Sequence, residues 1–347
     1  MKGYITFDGD RITDVHEGEP PDGCAKALIL PAFVNAHTHI GDAAAYPAPR
    51  RSVEELVAPP EGYKHRFLQS KSDEEKLAGM RWAITEMAES GTALFGDFRE
   101  EGLRGVELLR RALDDSGPRV VVFGRPAGTS VSEEEVDALV SACDGIGMSS
   151  IADWPYELVE MVSEKAHRAG KVFALHASEA RREDIASILD LRPAFLVHMC
   201  KASDDDVRAA VDEGVPIVVC PRSNMFFGLD PGIPRLLKAG ANVALGTDNC
   251  MISKPDMIEE LKAAYSSSLP VGGVDPSTLL SLATANARKV LNAKAKITTE
   301  LDAKSDLVAV RARGDDPLRW LVTEASSKDV IAVGRGGVLR RTSSWTR

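Results

Sequence analysis

Four of the chain's seven histidines close short apolar runs, and these are the residues whose placement can do chemistry. The seven lie at 16, 37, 39, 65, 167, 176 and 198. His37 and His39 end the run Pro31-Ala32-Phe33-Val34-Asn35-Ala36-His37-Thr38-His39. Alternate residues of a strand share a face, so both imidazoles can point one way while Thr38 points the other. Two imidazoles on one rigid strand are half of a zinc-type ligand set; the alternative is a polar strand end with two hydrogen-bonded histidines. His176 closes Phe173-Ala174-Leu175-His176, and His198 closes Phe195-Leu196-Val197-His198. Asp248 follows Ala244-Leu245-Gly246-Thr247. Taken alone, Thr247-Asp248-Asn249 also reads as a turn or cap. Glu179, three residues beyond His176, is placed to work beside a metal rather than bind it, or to sit as an acid near a helix N-terminus. His16, His65 and His167 lie in polar contexts and read as surface residues.

Something must bring these distant positions together. Eight near-continuous apolar runs occur: 28–39, 92–97, 120–124, 146–151, 172–177, 194–199, 215–220 and 243–246. Such runs suit strands covered on both faces. Amphipathic stretches alternate with them. Ser72-Asp73-Glu74-Glu75 and Ser132-Glu133-Glu134-Glu135 have the form of capping boxes, and Pro155 suits a first helical position. Strands alternating with helices predict an α/β fold, a (β/α)8 TIM barrel over 29–296. In that fold reactive groups gather at one rim, and the first and eighth strands, with His37, His39 and Asp248, are neighbours. A doubly wound open sheet is the rival, but no Gly-rich phosphate turn follows the first strand. Residues 1–28 and 297–347 read as short strands with turns. Neither end can bury a face alone, so they are expected to pair into a small β-sandwich domain.

Composition narrows the partners. Lys plus Arg total 42 against 52 Asp plus Glu, a net charge of −10, which repels a nucleic-acid backbone. The longest apolar run, about Ala27 to Val34, is far short of a membrane span. Five cysteines without a C-x-x-C pair point to reduced thiols in a cytoplasm. The expected partner is a small molecule; assembly into a homo-oligomer is left open.

The sequence resembles the metal-dependent amidohydrolase superfamily, in the branch of cytosine deaminase, S-adenosylhomocysteine deaminase and the triazine hydrolases. The resemblance runs through residues 31–39, His176-Ala177-Ser178-Glu179, His198, Cys220-Pro221-Arg222-Ser223-Asn224, Leu245-Gly246-Thr247-Asp248 and Ala283-Thr284-Ala285-Asn286-Ala287. It implies that His37, His39, His176 and Asp248 bind one divalent metal, zinc first and iron second. It implies that Glu179 shuttles protons and that His198 orients the attacking oxygen or the developing oxyanion. Binuclear relatives carry a bridging Lys or Glu on the fourth strand; residues 146–153 contain neither, so one metal is expected.

The activity this implies is hydrolytic deamination of a nitrogen heterocycle: a pyrimidine, purine, pterin or triazine. Metal binding lowers the pKa of a water from 15.7 to roughly 7 in the best-studied zinc case. Glu179 and Asp248 would handle the protons and His198 the oxyanion. Ring opening of a cyclic amide is the alternative reaction, and a catalytically silent binding barrel the alternative class. Arg125 and Trp154 follow the third and fourth runs and are candidates to contact substrate, Arg125 through an oxo or carboxylate group and Trp154 by stacking. For both, ordinary loop packing is the competing reading. Residues 42–70 form a long connection suited to a lid. That stretch lacks the Leu-Arg-Gly expected of nucleoside deaminases, which argues against a nucleoside.

Overall fold

The computed structural model describes residues 2–128, 130–291 and 305–342. Its central element is a parallel sheet ordered Phe33–His39, Thr92–Arg99, Arg119–Gly124, Gly145–Met148, Val172–Ala177, Phe195–His198, Ile217–Val219 and Val243–Leu245. The short strand Asp248–Asn249 flanks Phe33–His39 on its other side. Residues 243–249 therefore pair at one end with the seventh strand and at the other with the first. Between the two halves, Gly246 N donates to Val219 O and Thr247 N to His37 O, each at 3.0 Å. The sheet curls, and His37, His39 and Asp248 become neighbours as the strand pattern implied. Side chains on both faces are buried, which is why these strands read as continuous apolar runs.

Local signals at the helix starts hold. Ser72 caps Asp73–Glu89 and Ser132 caps Glu133–Ala142, each in a reciprocal capping box. Pro155 is the N-cap of Tyr156–Arg168, one position before the expected one.

Two expectations need correction. The run 28–39 is two strands, not one. Ala27–Pro31 pairs antiparallel with Leu307–Arg311, whereas Phe33–His39 joins the parallel sheet. The chain changes sheets at Pro31 and Ala32: proline has no N–H for a ladder, and Ala32 N instead donates to Asp306 O at 3.0 Å. The chain ends, moreover, form a single six-stranded antiparallel sheet among the described residues, not two facing sheets. Its order is Gly3–Asp8, Arg11–Glu17, Val338–Arg341, Val330–Arg335, Leu307–Arg311, Ala27–Pro31. One face carries Ile12, Leu307, Ala309, Ile331 and Leu339. The other turns Leu30, Val308, Val310 and Val333 into the main core, where a sandwich would have placed a second sheet. The expected boundary at 296/297 lies outside the described residues. No helix among the described residues is long and apolar enough to cross a membrane.

The segment 42–70 folds as short helical turns, including Val53–Leu56 and Tyr63–Ser70, anchored by Leu56 and Ala45 against Met251. His65, expected on the surface, is half-buried there, its Nε2 3.1 Å from Val57 O. Burial first, and the charge of Lys64 second, push its pKa down to about 4. An unfolded histidine takes its proton near 6.5, so the unfolded chain binds protons first on acidification. Stability from this site is complete above pH 6.5 and declines as pH falls toward 4, by up to about 3 kcal/mol. Urea titrations at pH 7 and pH 4.5 should show a smaller acid loss for His65→Gln than for the unaltered chain. Equal losses would mean that His65 protonates as freely folded as unfolded.

Candidate metal centre

The strand ends place four ligand atoms in one buried cluster. His37, His39, His176 and Asp248 each present one atom, all within 4.8 Å of one another. His176 Nε2 lies 3.1 Å from His37 Nε2 and 3.2 Å from His39 Nε2. Asp248 Oδ1 stands 3.3 Å from His37 Nε2 and 3.5 Å from His39 Nε2. Burial holds His39 and His176 well below the ordinary histidine range, so both rings are neutral. His176 Nδ1 donates to Met148 O at 2.8 Å, and His39 Nδ1 lies 2.7 Å from Glu100 Oε1 and 3.1 Å from Phe98 O. The protons therefore sit on Nδ1, and the bare Nε2 lone pairs face each other.

Facing lone pairs beside a buried carboxylate oxygen that has no hydrogen-bond donor repel one another unless a cation lies between them. A tetrahedral site with ligand bonds of about 2.0–2.1 Å has edges of about 3.3 Å, and the four separations above bracket that value. The donor set therefore fits a divalent metal.

Neighbouring residues hold the cluster and His198 in place. Ser223 Oγ donates to Asp248 Oδ2 at 2.5 Å, and Asn224 Nδ2 donates to His198 Nδ1 at 3.0 Å. Both belong to the 220–224 motif, whose residue types alone do not reveal this bracing role. Gly246 passes so close to His37 that an added Cβ would meet its backbone at 2.8 Å. Asp248 and His198 adopt φ of 60° and 78°, the left-handed region that non-glycine residues avoid outside constrained sites.

Glu179 and His198 stand beside the cluster. Glu179 Oε2 is 3.6 Å from His198 Nε2, and its Oε1 has no partner. Asn224 occupies His198 Nδ1, so that ring carries its proton on Nε2, facing Glu179. Burial lowers His198 to about 4, which keeps it neutral. Burial, then the charge of Asp248, raises Glu179 well above the usual carboxylate range. Burial alone would raise Asp248 too, but the imidazoles of His37, His198 and His39 hold it well below. Two neighbouring acids pushed apart in this way offer one carboxyl that takes up a proton readily and one that passes a proton on readily.

Behind His39 lies a buried charged network that no sequence pattern announces. Glu100 Oε1 meets Lys64 Nζ at 2.5 Å as well as His39, while Arg99 pairs with its Oε2. Lys64 also donates to Asn249 Oδ1 at 2.9 Å, beside Asp248.

One cavity opens onto the cluster, with His39, His176, His198, Asp248 and Glu179 at its base. Val53, Val57 and Lys64 of the 42–70 segment line it, as do Arg125 and Asp153. Trp154 does not: it is buried, its Nε1 donates to Ser149 Oγ at 2.6 Å, and it is not among the lining residues. Asp153 precedes Trp154 and does lie on the wall.

Comparison with known proteins agrees with this geometry. The sequence profile of the Amidohydrolase family matches residues 28–339. A putative aminohydrolase of Methanothermobacter thermautotrophicus is 30% identical, with 98% of this chain and 94% of that protein covered. A 5-methylthioadenosine/S-adenosylhomocysteine deaminase of Pyrococcus abyssi is 26% identical over 96% of this chain and 88% of its own. The crystal structure of an adenosine deaminase from Xanthomonas campestris with bound zinc shares the fold, with a TM-score of 0.80 and 19% identity over 99% of this chain and 89% of that one. The chain therefore belongs to the amidohydrolase family, as an enzyme that hydrolyses carbon–nitrogen bonds.

Proposed function

We propose that this protein is a hydrolytic deaminase of nitrogen heterocycles, working with one divalent metal ion, Zn2+ in the first place, held by His37, His39, His176 and Asp248. The observation that carries the reading is the convergence of four ligand atoms, those of His39, His176 and Asp248 at the base of a cavity that also holds Glu179 and His198. A cation bound there supplies water activated for attack near neutral pH. Glu179 would accept a proton of the attacking water at its carboxylate and return it to a ring nitrogen of the substrate. This makes the adjacent carbon electrophilic. His198 donates from Nε2 to the oxygen that becomes the product carbonyl. Asp248 holds the second proton for the departing ammonia.

The fold behind this reading is an eight-stranded (β/α)8 barrel whose last strand is interrupted at Gly246 and Thr247. Beside it, strands of the two chain ends, from Gly3 to Pro31 and from Leu307 to Arg341, form a small β domain. The reading also keeps the expectation of a cytoplasmic enzyme with a small-molecule substrate.

The test is ammonia release by zinc-loaded protein offered pyrimidines, purines, pterins and triazines. Ammonia from at least one amino-substituted ring is the expected result. A ring-opened product without ammonia would instead make the protein a cyclic amidohydrolase.

A further inference from the structure

Arg125 is buried on the cavity wall with its hydrogen-bonding capacity largely unused. It follows the strand Arg119–Gly124 and is 4% exposed. Its Nε donates to Gly147 O at 3.2 Å. Nη2 has no acceptor, and the ion-pair partner of Nη1, Glu100 Oε1, stands 3.8 Å away. That oxygen is already taken by Lys64 and His39. Among the described residues, the N–H groups of both Nη atoms are thus left without a hydrogen bond. Buried donors are rarely left so, and a planar guanidinium fork calls for a planar acceptor.

Asp153 lines the same cavity. The Ser149 hydroxyl, which receives the Trp154 indole N–H, lies beside its carboxyl and helps to hold it. Arg125 and Asp153 feel each other's charge, yet among the described residues they form no ion pair. The wall therefore offers a donor fork and, near it, a separate acceptor. A carboxylate ligand would satisfy Arg125 but be repelled by Asp153 and Glu179. A neutral group with an acceptor next to a donor satisfies both.

We propose that Arg125 and Asp153 recognise a lactam edge, the C(=O)–N–H unit of an oxo-substituted heterocycle, so that the substrate is an amino-oxo ring rather than a ring with amino groups alone. Arg125 donates to the carbonyl oxygen and Asp153 accepts the ring N–H, while the amino-bearing carbon faces Glu179. This rests on the deaminase reading for the direction in which the ring enters.

The experiment compares matched rings: cytosine with 4-aminopyrimidine, and guanine with 2-aminopurine. Ammonia release is measured on the zinc-loaded protein, and equilibrium binding by calorimetry on zinc-loaded Glu179→Gln. A site built to hydrogen-bond an edge rejects the analogue lacking it strongly, so kcat/KM should favour at least one oxo ring by about 10³-fold or more. Arg125→Gln should shrink that preference, mostly through KM, with binding of the oxo ring weakened about 10–100-fold and zinc content unchanged. Asp153→Asn tests the other half of the edge should Arg125→Gln fail to fold, and should likewise erode the preference.

Equal binding of both members of each pair would overturn the proposal. So would a preference that survives both substitutions, or tighter binding of a carboxylated ring such as orotate. Oxo-selective binding without ammonia from any ring would support the lactam edge while removing the deaminase reading.

Discussion

Glu179→Gln is expected to keep its metal and lose turnover by about 10²–10⁴-fold, the contribution of a positioned proton carrier. Glu179 is outside the four-ligand set, so elemental analysis should find the same metal content in the variant. Its Oε1 is unpartnered and its Oε2 stands 3.6 Å from His198 Nε2, so an amide of the same shape fits without disturbing neighbours. What the amide cannot do is accept and release a proton. The pH profile separates this from a packing effect. Burial and the Asp248 charge raise Glu179, so in the metal-free protein it gains its proton at higher pH than a solvated carboxyl. The acid limb of kcat/KM should therefore report this group, and the residual rate of the variant should lose that limb. Full turnover in Glu179→Gln, with metal retained, would leave the water without its proton acceptor and end this assignment.

How much of this is legible in the sequence follows from what each residue needs as a neighbour. His37 and His39 can be paired from spacing alone, because a strand places alternate residues on one face. His176, His198 and Asp248 join them once the strands are ordered, because a curled parallel sheet gathers strand ends at one rim. Lys64 cannot be found that way. It sits in a polar helix, Tyr63–Ser70, that reads as part of an exposed loop, and it is buried because Glu100, Asp42 and Asn249 meet it there. Those partners lie far away in sequence and no local periodicity announces them. The same holds for Arg99, fully buried between Asp97 and Glu100 within a stretch whose charges suggest solvent. Ser223 and Asn224 stand out as a motif, yet their work depends on a short helix, Pro221–Phe226, that carries one to Asp248 and the other to His198. Pro31 interrupts an apolar run, but only pairing with Leu307–Arg311 shows that the chain changes sheets there. Trp154 illustrates the opposite error: a plausible stacking side chain whose indole N–H finds Ser149, away from the cavity lining.

His37→Ala should abolish stoichiometric metal binding and, with it, the metal's contribution to stability. His37 Nε2 touches both His176 and Asp248, so its removal takes one corner from the cluster. Without it three ligand atoms remain around a cavity the size of an imidazole, and a buried carboxylate loses a neighbour that holds it ionised. For the unaltered chain, metal at about 1,000 times its Kd adds about 4 kcal/mol to the folded state. With an unfolding entropy of about 2.1 cal/mol/K per residue, that raises Tm by roughly 6 °C in a chain of this length. The variant should show almost none of that rise when zinc is added, and chelation should leave its Tm where it was. The zinc response is therefore read against each protein's own chelated Tm, which separates a lost metal from the cost of the cavity itself. Elemental analysis showing one tightly held metal per chain in His37→Ala would place the ion elsewhere, and the proton roles of Glu179 and Asp248 would then have nothing to serve.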